Sequence, residues 1–216
     1  MFLINADDFG MSEGINEAIY ELIVIGAINS CSIMCNKSNT VGAINLIRKL
    51  KDKNINFNLN LHFNITEGNS MYNGLKLTKK NEYTNDKYFI ENELKAQINF
   101  LKQKNVNIRG IDCHHNVNLK NKLIDEIIKN TIKLRVRDNF VYKNIYNNVN
   151  EKSLIEGLAN RYYNEIMVHP ALFIDDSLKE CSLYREQRIQ EYKLLKDNKD
   201  LIKKIILKRN KNNFIT

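Results

Sequence analysis

The feature of this chain that most constrains its fold is a repeated change of period. Short apolar runs with strand character lie at 2–4, 28–35, 57–63, 108–113, 132–136, 166–168 and 214–215. Between them come segments whose apolar residues recur at helical spacing. In the first, Ser12 suits a helix cap, Ile15, Ala18, Ile19, Leu22 and Ile23 form a stripe, and Gly26 ends the pattern. Similar stripes cover 41–50, 90–104, 119–130, 151–160, 184–195 and 201–208. Strands separated by helices pair in parallel. Six or seven such units in one domain, 1–216, predict an α/β fold of (β/α) barrel-like form, distorted or seven-stranded. An open doubly wound sheet is the alternative, but no G-x-G-x-x-G follows the first strand, which counts against a nucleotide-binding version.

Composition removes several function classes. The chain has 216 residues, enough for one sizeable core, and its single proline and eight glycines leave little for linkers. The net charge is +8, yet the lysines are spread over amphipathic helices and no nucleic-acid motif accompanies them, so no nucleic-acid partner is expected. Four cysteines without a C-x-x-C pair read as reduced thiols rather than a zinc knuckle. No stretch approaches the roughly 18 apolar residues of a membrane helix. The start lacks the basic and long apolar parts of a signal peptide. A cytoplasmic protein without a membrane partner is expected, with homo-oligomerisation left open.

The polar chemistry gathers where the apolar runs stop. The first run leads to Asp7-Asp8, and all four histidines (His62, His114, His115 and His169) follow later runs. Strand ends are where α/β folds place their chemistry. Carboxylates plus imidazoles there make a metal-binding inventory. Adjacent aspartates can divide the work, one holding a metal and one taking a proton from water. A polar turn with an Asp cap is the plainer alternative. Asp8-Phe9-Gly10 spells the kinase metal motif, but no glycine-rich loop or H-R-D segment accompanies it. Asn64, Thr66 and Glu67 add a polar cluster after His62. His114 and His115 are neighbours on an extended segment and should point apart, so one of them faces a metal. The polar segment 68–87 has no period and is expected to form a loop over the site.

Taken in order, five stretches carry a resemblance to a known family: Asn5-Ala6-Asp7-Asp8-Phe9-Gly10, then Leu61-His62-Phe63-Asn64-Ile65-Thr66-Glu67-Gly68, then Asp112-Cys113-His114-His115, then Met167-Val168-His169-Pro170-Ala171, and last Tyr184-Arg185-Glu186-Gln187-Arg188. The chain resembles the YdjC-like carbohydrate deacetylases, the chitooligosaccharide deacetylases. That resemblance implies a barrel-like fold related to the polysaccharide deacetylases and a divalent metal ion, Mg2+ or Zn2+. It implies Asp8, His62 and His114 as metal ligands, Asp7 as general base and His169 as general acid. It further implies a pocket arginine at Arg135. One departure stands out. The family's His-x-His-x-His run is here His114-His115-Asn116-Val117-Asn118, so Asn116 and Asn118 replace histidines as substrate contacts, and asparagine cannot shuttle protons. The implied reaction is removal of the N-acetyl group from N-acetylglucosamine-containing oligosaccharides such as diacetylchitobiose, with a small N-acetylated sugar as partner. Two alternatives remain: a metal-dependent hydrolase of a phosphoester or non-sugar amide, and a sugar-binding protein that has lost turnover.

Overall fold

The computed structural model describes residues 1–78, 85–137 and 149–211, and the backbone of 142–144. Its strands are β1 (Leu3–Phe9), β2 (Ser30–Ile33), β3 (Asn58–Phe63), β4 (Gly110–Cys113), β5 (Arg135–Val136), β6 (Tyr142–Asn144) and β7 (Glu165–Val168). The helices are α1 (Glu13–Val24), α2 (Thr40–Asp52), α3 (Lys87–Gln103), α4 (Val117–Lys120), α5 (Lys122–Thr131), α6 (Glu151–Ala159), α7 (Asp176–Cys181), α8 (Arg185–Asp197) and α9 (Lys199–Lys211).

One seven-stranded sheet runs β5-β4-β3-β2-β1-β7-β6, and every pairing in it is parallel. Followed from β6, the order is β6-β7-β1-β2-β3-β4-β5. This is the sequential circuit of a (β/α) barrel, with no pairing between β5 and β6 among the described residues. The expected barrel-like α/β class therefore holds. Strand β6 lay in no expected run, and the expected strand at Phe214-Ile215 falls outside the described residues. The stripe at 119–130 is broken at Asn121, whose side chain caps α5 by accepting from the Leu123 N–H. Helix α1 starts as its sequence predicts: the Ser12 hydroxyl accepts from the Ile15 N–H.

The two faces of the strands differ in kind. Ile4, Ala6, Cys31, Ile33, Leu59, Leu61, Ile111 and Ile166 join the helices' inward stripes, such as Ile15, Ile19 and Leu22 of α1, in one apolar core. The alternate residues face inward and are polar: Asn5, Asp7, Ser30, Ser32, Asn58, Asn60, His62, Asp112 and Glu165 are all buried. Hydrogen bonds tie this lining together, for instance Asn60 Nδ2 to Asn5 Oδ1 at 3.2 Å and Asn58 Nδ2 to Asn60 Oδ1 at 2.8 Å. Such satisfaction is what lets a polar barrel interior persist, since an unpaired buried polar group costs about 1–3 kcal/mol.

Candidate metal and catalytic site

The C-terminal end of β1 carries an irregularity that creates the site. Successive residues of a regular strand point to opposite faces, so Asp7 inward would send Asp8 outward. The β1–β2 register shifts between Ala6 and Phe9, and Asp8 takes a left-handed backbone with φ 69°. Aspartate tolerates this region better than most residues, and a bulge of this kind re-aims a side chain. Both carboxylates thereby reach the mouth of the barrel. Gly10 then turns the chain at φ 102°, where a Cβ would lie 2.9 Å from the Met34 carbonyl oxygen.

Three donor atoms from three strand ends meet there. Asp8 Oδ1 lies 3.2 Å from His62 Nε2 and 3.1 Å from His114 Nδ1, and those two nitrogens are 3.2 Å apart. All three residues are buried, and Asp8 Oδ1 has no hydrogen-bond partner among the described residues. Donors held about 2.1 Å from one ion sit about 3.0 Å apart at right angles and about 3.4 Å apart at tetrahedral angles. The observed triangle lies between those limits. A buried carboxylate oxygen, unbonded and facing two imidazole nitrogens, fits a divalent cation by donor chemistry as well as by spacing.

Each donor is held from behind. Arg188 of α8 donates from Nη2 to Asp8 Oδ2 at 2.7 Å. His62 Nδ1 is in close contact with Asp112 Oδ1, and His114 Nε2 lies 3.3 Å from Glu67 Oε1. Carboxylates behind metal-bound histidines fix ring orientation and tautomer. Two further groups of metal-capable side chains surround the triad: Asp7, His62 and Asp112, and Glu67, His114 and His115. In the first, Arg137 already supplies the positive charge, with Nη1 on Asp7 Oδ2 and Nη2 on Asp7 Oδ1, both at 2.7 Å.

The electrostatics follow from this packing. Burial disfavours the charged form of Asp7, but the Arg137 charge and its two hydrogen bonds outweigh that and hold the carboxyl well below the usual range. Asp8 behaves alike: burial opposes ionisation, and Arg188 and the two imidazoles overcome it. His62 is buried too, yet Asp7, Asp112 and Asp8 push it up to about 10. His169 goes the other way: burial pushes it down to about 4 against the pull of Asp7 and Asp8. Its Nε2 lies 3.9 Å from Asp7 Oδ2. The general-acid role that the resemblance implies calls for a protonated ring; in this protein the resting ring is neutral.

The triad opens into a cavity of about 400 Å³, lined among others by Asp7, Glu67, His115, Asn116, His169 and Tyr184. Asn116, at φ 51°, is thus at the wall where a substrate would lie. Two expected substrate contacts sit elsewhere. Asn118 is buried and donates to the Arg137 carbonyl oxygen at 3.1 Å. Arg135 pairs with Glu165 and does not line the cavity. Both arginines belong to one face of the same extended segment, so alternation does not separate them. Arg137 is two residues nearer the C-terminal end, about 6.6 Å further along, and that puts it on Asp7. His115 also differs from expectation in its surroundings. Residues His114–Asn116 form a 3-10 turn with His115 at φ 56°, and its ring packs on that of His114, centroids 3.8 Å apart, instead of pointing away. The described residues of the 68–87 segment do not cover this cavity; Ser70 and Tyr72 are pinned to Glu93 of α3.

Sequence reasoning left Arg137, Arg188 and Glu67 without roles. A signal existed for Arg188: it shares the buried face of α8 with Glu191, Tyr192 and Leu195, at helical spacing.

A parallel barrel-like sheet with an Asp-His-His triad and a second aspartate at its C-terminal mouth defines a class of α/β proteins whose buried acids and imidazoles could hold a metal ion. Within that class the family is shown by comparison: the model of the YdjC-like proteins matches residues 1–201, and the chain belongs to that family. A carbohydrate deacetylase of Thermoanaerobacter pseudethanolicus is 27% identical, covering 93% of this chain and 92% of its own length. Another, of Halalkalibacterium halodurans, is 26% identical over 89% of this chain and 94% of that one. A crystal structure from Enterococcus faecalis V583, assigned to cellobiose-phosphate cleavage, superposes with TM-score 0.74 at 20% identity, covering 96% of this chain and 94% of that one. At that identity the likeness is one of fold. No described helix is long and apolar enough to cross a membrane.

Proposed function

We propose that this chain is a metal-dependent N-deacetylase of N-acetylglucosamine-containing oligosaccharides, of the chitooligosaccharide type, with Mg2+ or Zn2+ held by Asp8, His62 and His114. The observation that carries the proposal is the triangle of buried donors, with Asp8 Oδ1 unbonded at its corner, beside the ionised Asp7. The sugar class comes from the relatives named carbohydrate deacetylases.

When bound, the ion supplies Lewis acidity, lowering the pKa of a water and polarising the amide carbonyl. Asp7 is ionised at neutral pH and is fixed by Arg137 and by Asn5 Nδ2 at 2.8 Å, so its carboxylate is ready to accept a proton from the attacking water. His169 lies beside Asp7, neutral at rest, and takes up a proton before passing it to the departing amine nitrogen. Asn116 and the Leu183-Tyr184 rim face the sugar. The products are acetate and a free amino sugar. The test is acetate release from N-acetylated sugars by metal-stripped protein resupplied with Mg2+ or Zn2+, against phosphate release from sugar phosphates. Phosphate without acetate defeats the proposal.

Two expected results arise here. A metal ligand must be a neutral imidazole, whereas His62 without metal is charged up to about pH 10. Binding must therefore expel a proton, and affinity should rise with pH, by about tenfold per unit for one proton. Titration calorimetry in buffers of different ionisation enthalpy measures the proton count, and a pH-independent affinity would contradict the charge state of His62. The second result concerns His169→Ala. It should depress turnover of an amide far more than that of an ester whose leaving group needs little protonation. Equal losses would make His169 a residue that only positions Asp7.

A further inference from the structure

The run Asn64-Ile65-Thr66-Glu67-Gly68 carries no proton or bond-breaking step above, yet its turn is closely hydrogen-bonded. Asn64 Oδ1 accepts from the Thr66 N–H at 3.0 Å and the Glu67 N–H at 3.2 Å, and Asn64 Nδ2 donates to the Glu67 carbonyl oxygen at 2.8 Å. Gly68 follows at φ 76°, where a Cβ would lie 2.9 Å from the Asn36 carbonyl oxygen. The turn is clamped at both ends, and Glu67 projects from it into the cavity wall.

Its carboxylate faces the far side of a proposed ligand. Glu67 Oε1 is a carboxylate oxygen 3.3 Å from His114 Nε2, a buried nitrogen without a hydrogen-bond partner among the described residues, and 3.5 Å from His115 Nε2. Thr66 Oγ1, from the same turn, lies 2.8 Å from His115 Nδ1. His114 meets Asp8 Oδ1 through Nδ1, so its Nε2 must carry the proton if Nδ1 is to offer a lone pair. In free histidine the two neutral tautomers interconvert readily, and a carboxylate behind one nitrogen selects the form with its proton there. The same three groups do not suit a second cation, because Lys37 Nζ sits 2.8 Å from Glu67 Oε2 and already balances that charge.

We propose that Glu67 is a positioning residue for the metal: it holds His114 as the Nε2–H tautomer, with Nδ1 free for the ion, and its turn clamps the tilted His115 ring against it. The proposal rests on the reading of Asp8, His62 and His114 as the metal set. It gives Glu67 a role exercised through His114 rather than by direct contact with the ion.

The test reads binding and tautomer rather than turnover. Wild type, Glu67→Ala, Glu67→Gln and Lys37→Met are compared by Zn2+ titration calorimetry, and by nitrogen-15 spectra of the histidine rings without saturating metal. Removing a carboxylate behind a metal-bound histidine is expected to weaken Zn2+ about 10- to 100-fold. Glu67→Gln should recover part of that loss through its amide oxygen. Lys37→Met should bind Zn2+ within about twofold of wild type while Glu67 stays in place, because Lys37 touches only the far oxygen. Without saturating metal, His114 should show the Nε2–H form in wild type and a mixture of forms in Glu67→Ala. Unchanged Zn2+ affinity and tautomer in a folded Glu67→Ala would overturn the role of Glu67. If Glu67→Ala does not fold, the same two readings on Glu67→Gln decide, and wild-type values there overturn it. Failure of wild type itself to bind Zn2+ or Mg2+ would instead remove the metal set, which separates the two claims.

Discussion

Asp7→Asn is expected to cut deacetylation by about 10²- to 10⁴-fold, the usual loss for a missing general base, while leaving metal content close to wild type. The two aspartates are sequence neighbours with different surroundings. Asp7 Oδ1 and Oδ2 both face Arg137, and its nearer imidazole contacts are 3.9 Å to His169 and 4.0 Å to His62. Asp8 Oδ1 faces the two ligand nitrogens at 3.1 and 3.2 Å. Asn keeps the shape of Asp7 but cannot accept a proton and cannot balance Arg137. Asp8→Ala should by contrast lose metal and turnover together, because it removes one of three donors. Metal content and acetate release measured on both proteins decide the matter. Near-normal turnover by Asp7→Asn would place the base on another residue, and metal retained by Asp8→Ala would displace the triad.

Arg137→Leu should destabilise the fold by about 3–5 kcal/mol, the cost of leaving buried charges without their partner. Arg137 is 1% exposed and is shared by three acids: it bonds Asp7 and Glu165, with Nε on Glu165 Oε1 at 2.6 Å, and lies 3.4 Å from Asp112. Leucine fills part of the volume and serves none of them. Arg137→Lys should rescue little, since one ammonium cannot span three carboxylates with a planar fork. The pH dependence has a definite sign. Asp7 and Asp8 have folded pKa values below their unfolded ones. Their contribution is therefore complete above the unfolded value, about 3.9, and is lost as pH falls below it. Wild type should lose stability steeply below about pH 4, and Arg137→Leu should show a shallower acid slope because Asp7 has lost the partner that depressed it. Urea denaturation at several pH values measures both. A loss under about 1 kcal/mol would mean that the barrel interior relaxes or hydrates around the acids.

The strand-and-helix alternation was legible because it depends on local period. Residues such as Ile15, Ile19 and Leu22, or Leu59 and Leu61, repeat at the spacing of their element and need no partner to be read. The positions of His62, His114 and His169 at strand ends were legible for the same reason: the end of an apolar run marks the end of a strand. Strand β6, only three residues long, had no run to announce it. Arg137 went unmarked beside Arg135 because both occupy one face, and only the depth of the barrel distinguishes their surroundings.

By itself, the sequence determined the parallel α/β architecture, the end of the sheet where acids and imidazoles gather, and the residue types available to hold a cation. Tertiary structure alone decided how those groups divide their work. The irregularity of β1 at Asp8 brings two adjacent carboxylates to one mouth, which alternation along a regular strand forbids. Arg137, 130 residues from Asp7 along the chain, sets the charge of one aspartate, and Arg188, 180 residues from Asp8, sets that of the other. The physical reason is one of range. Periodicity and turn chemistry act over a few residues and are written locally, whereas charge states in a buried site depend on which distant side chains the barrel-like sheet brings within a few ångströms.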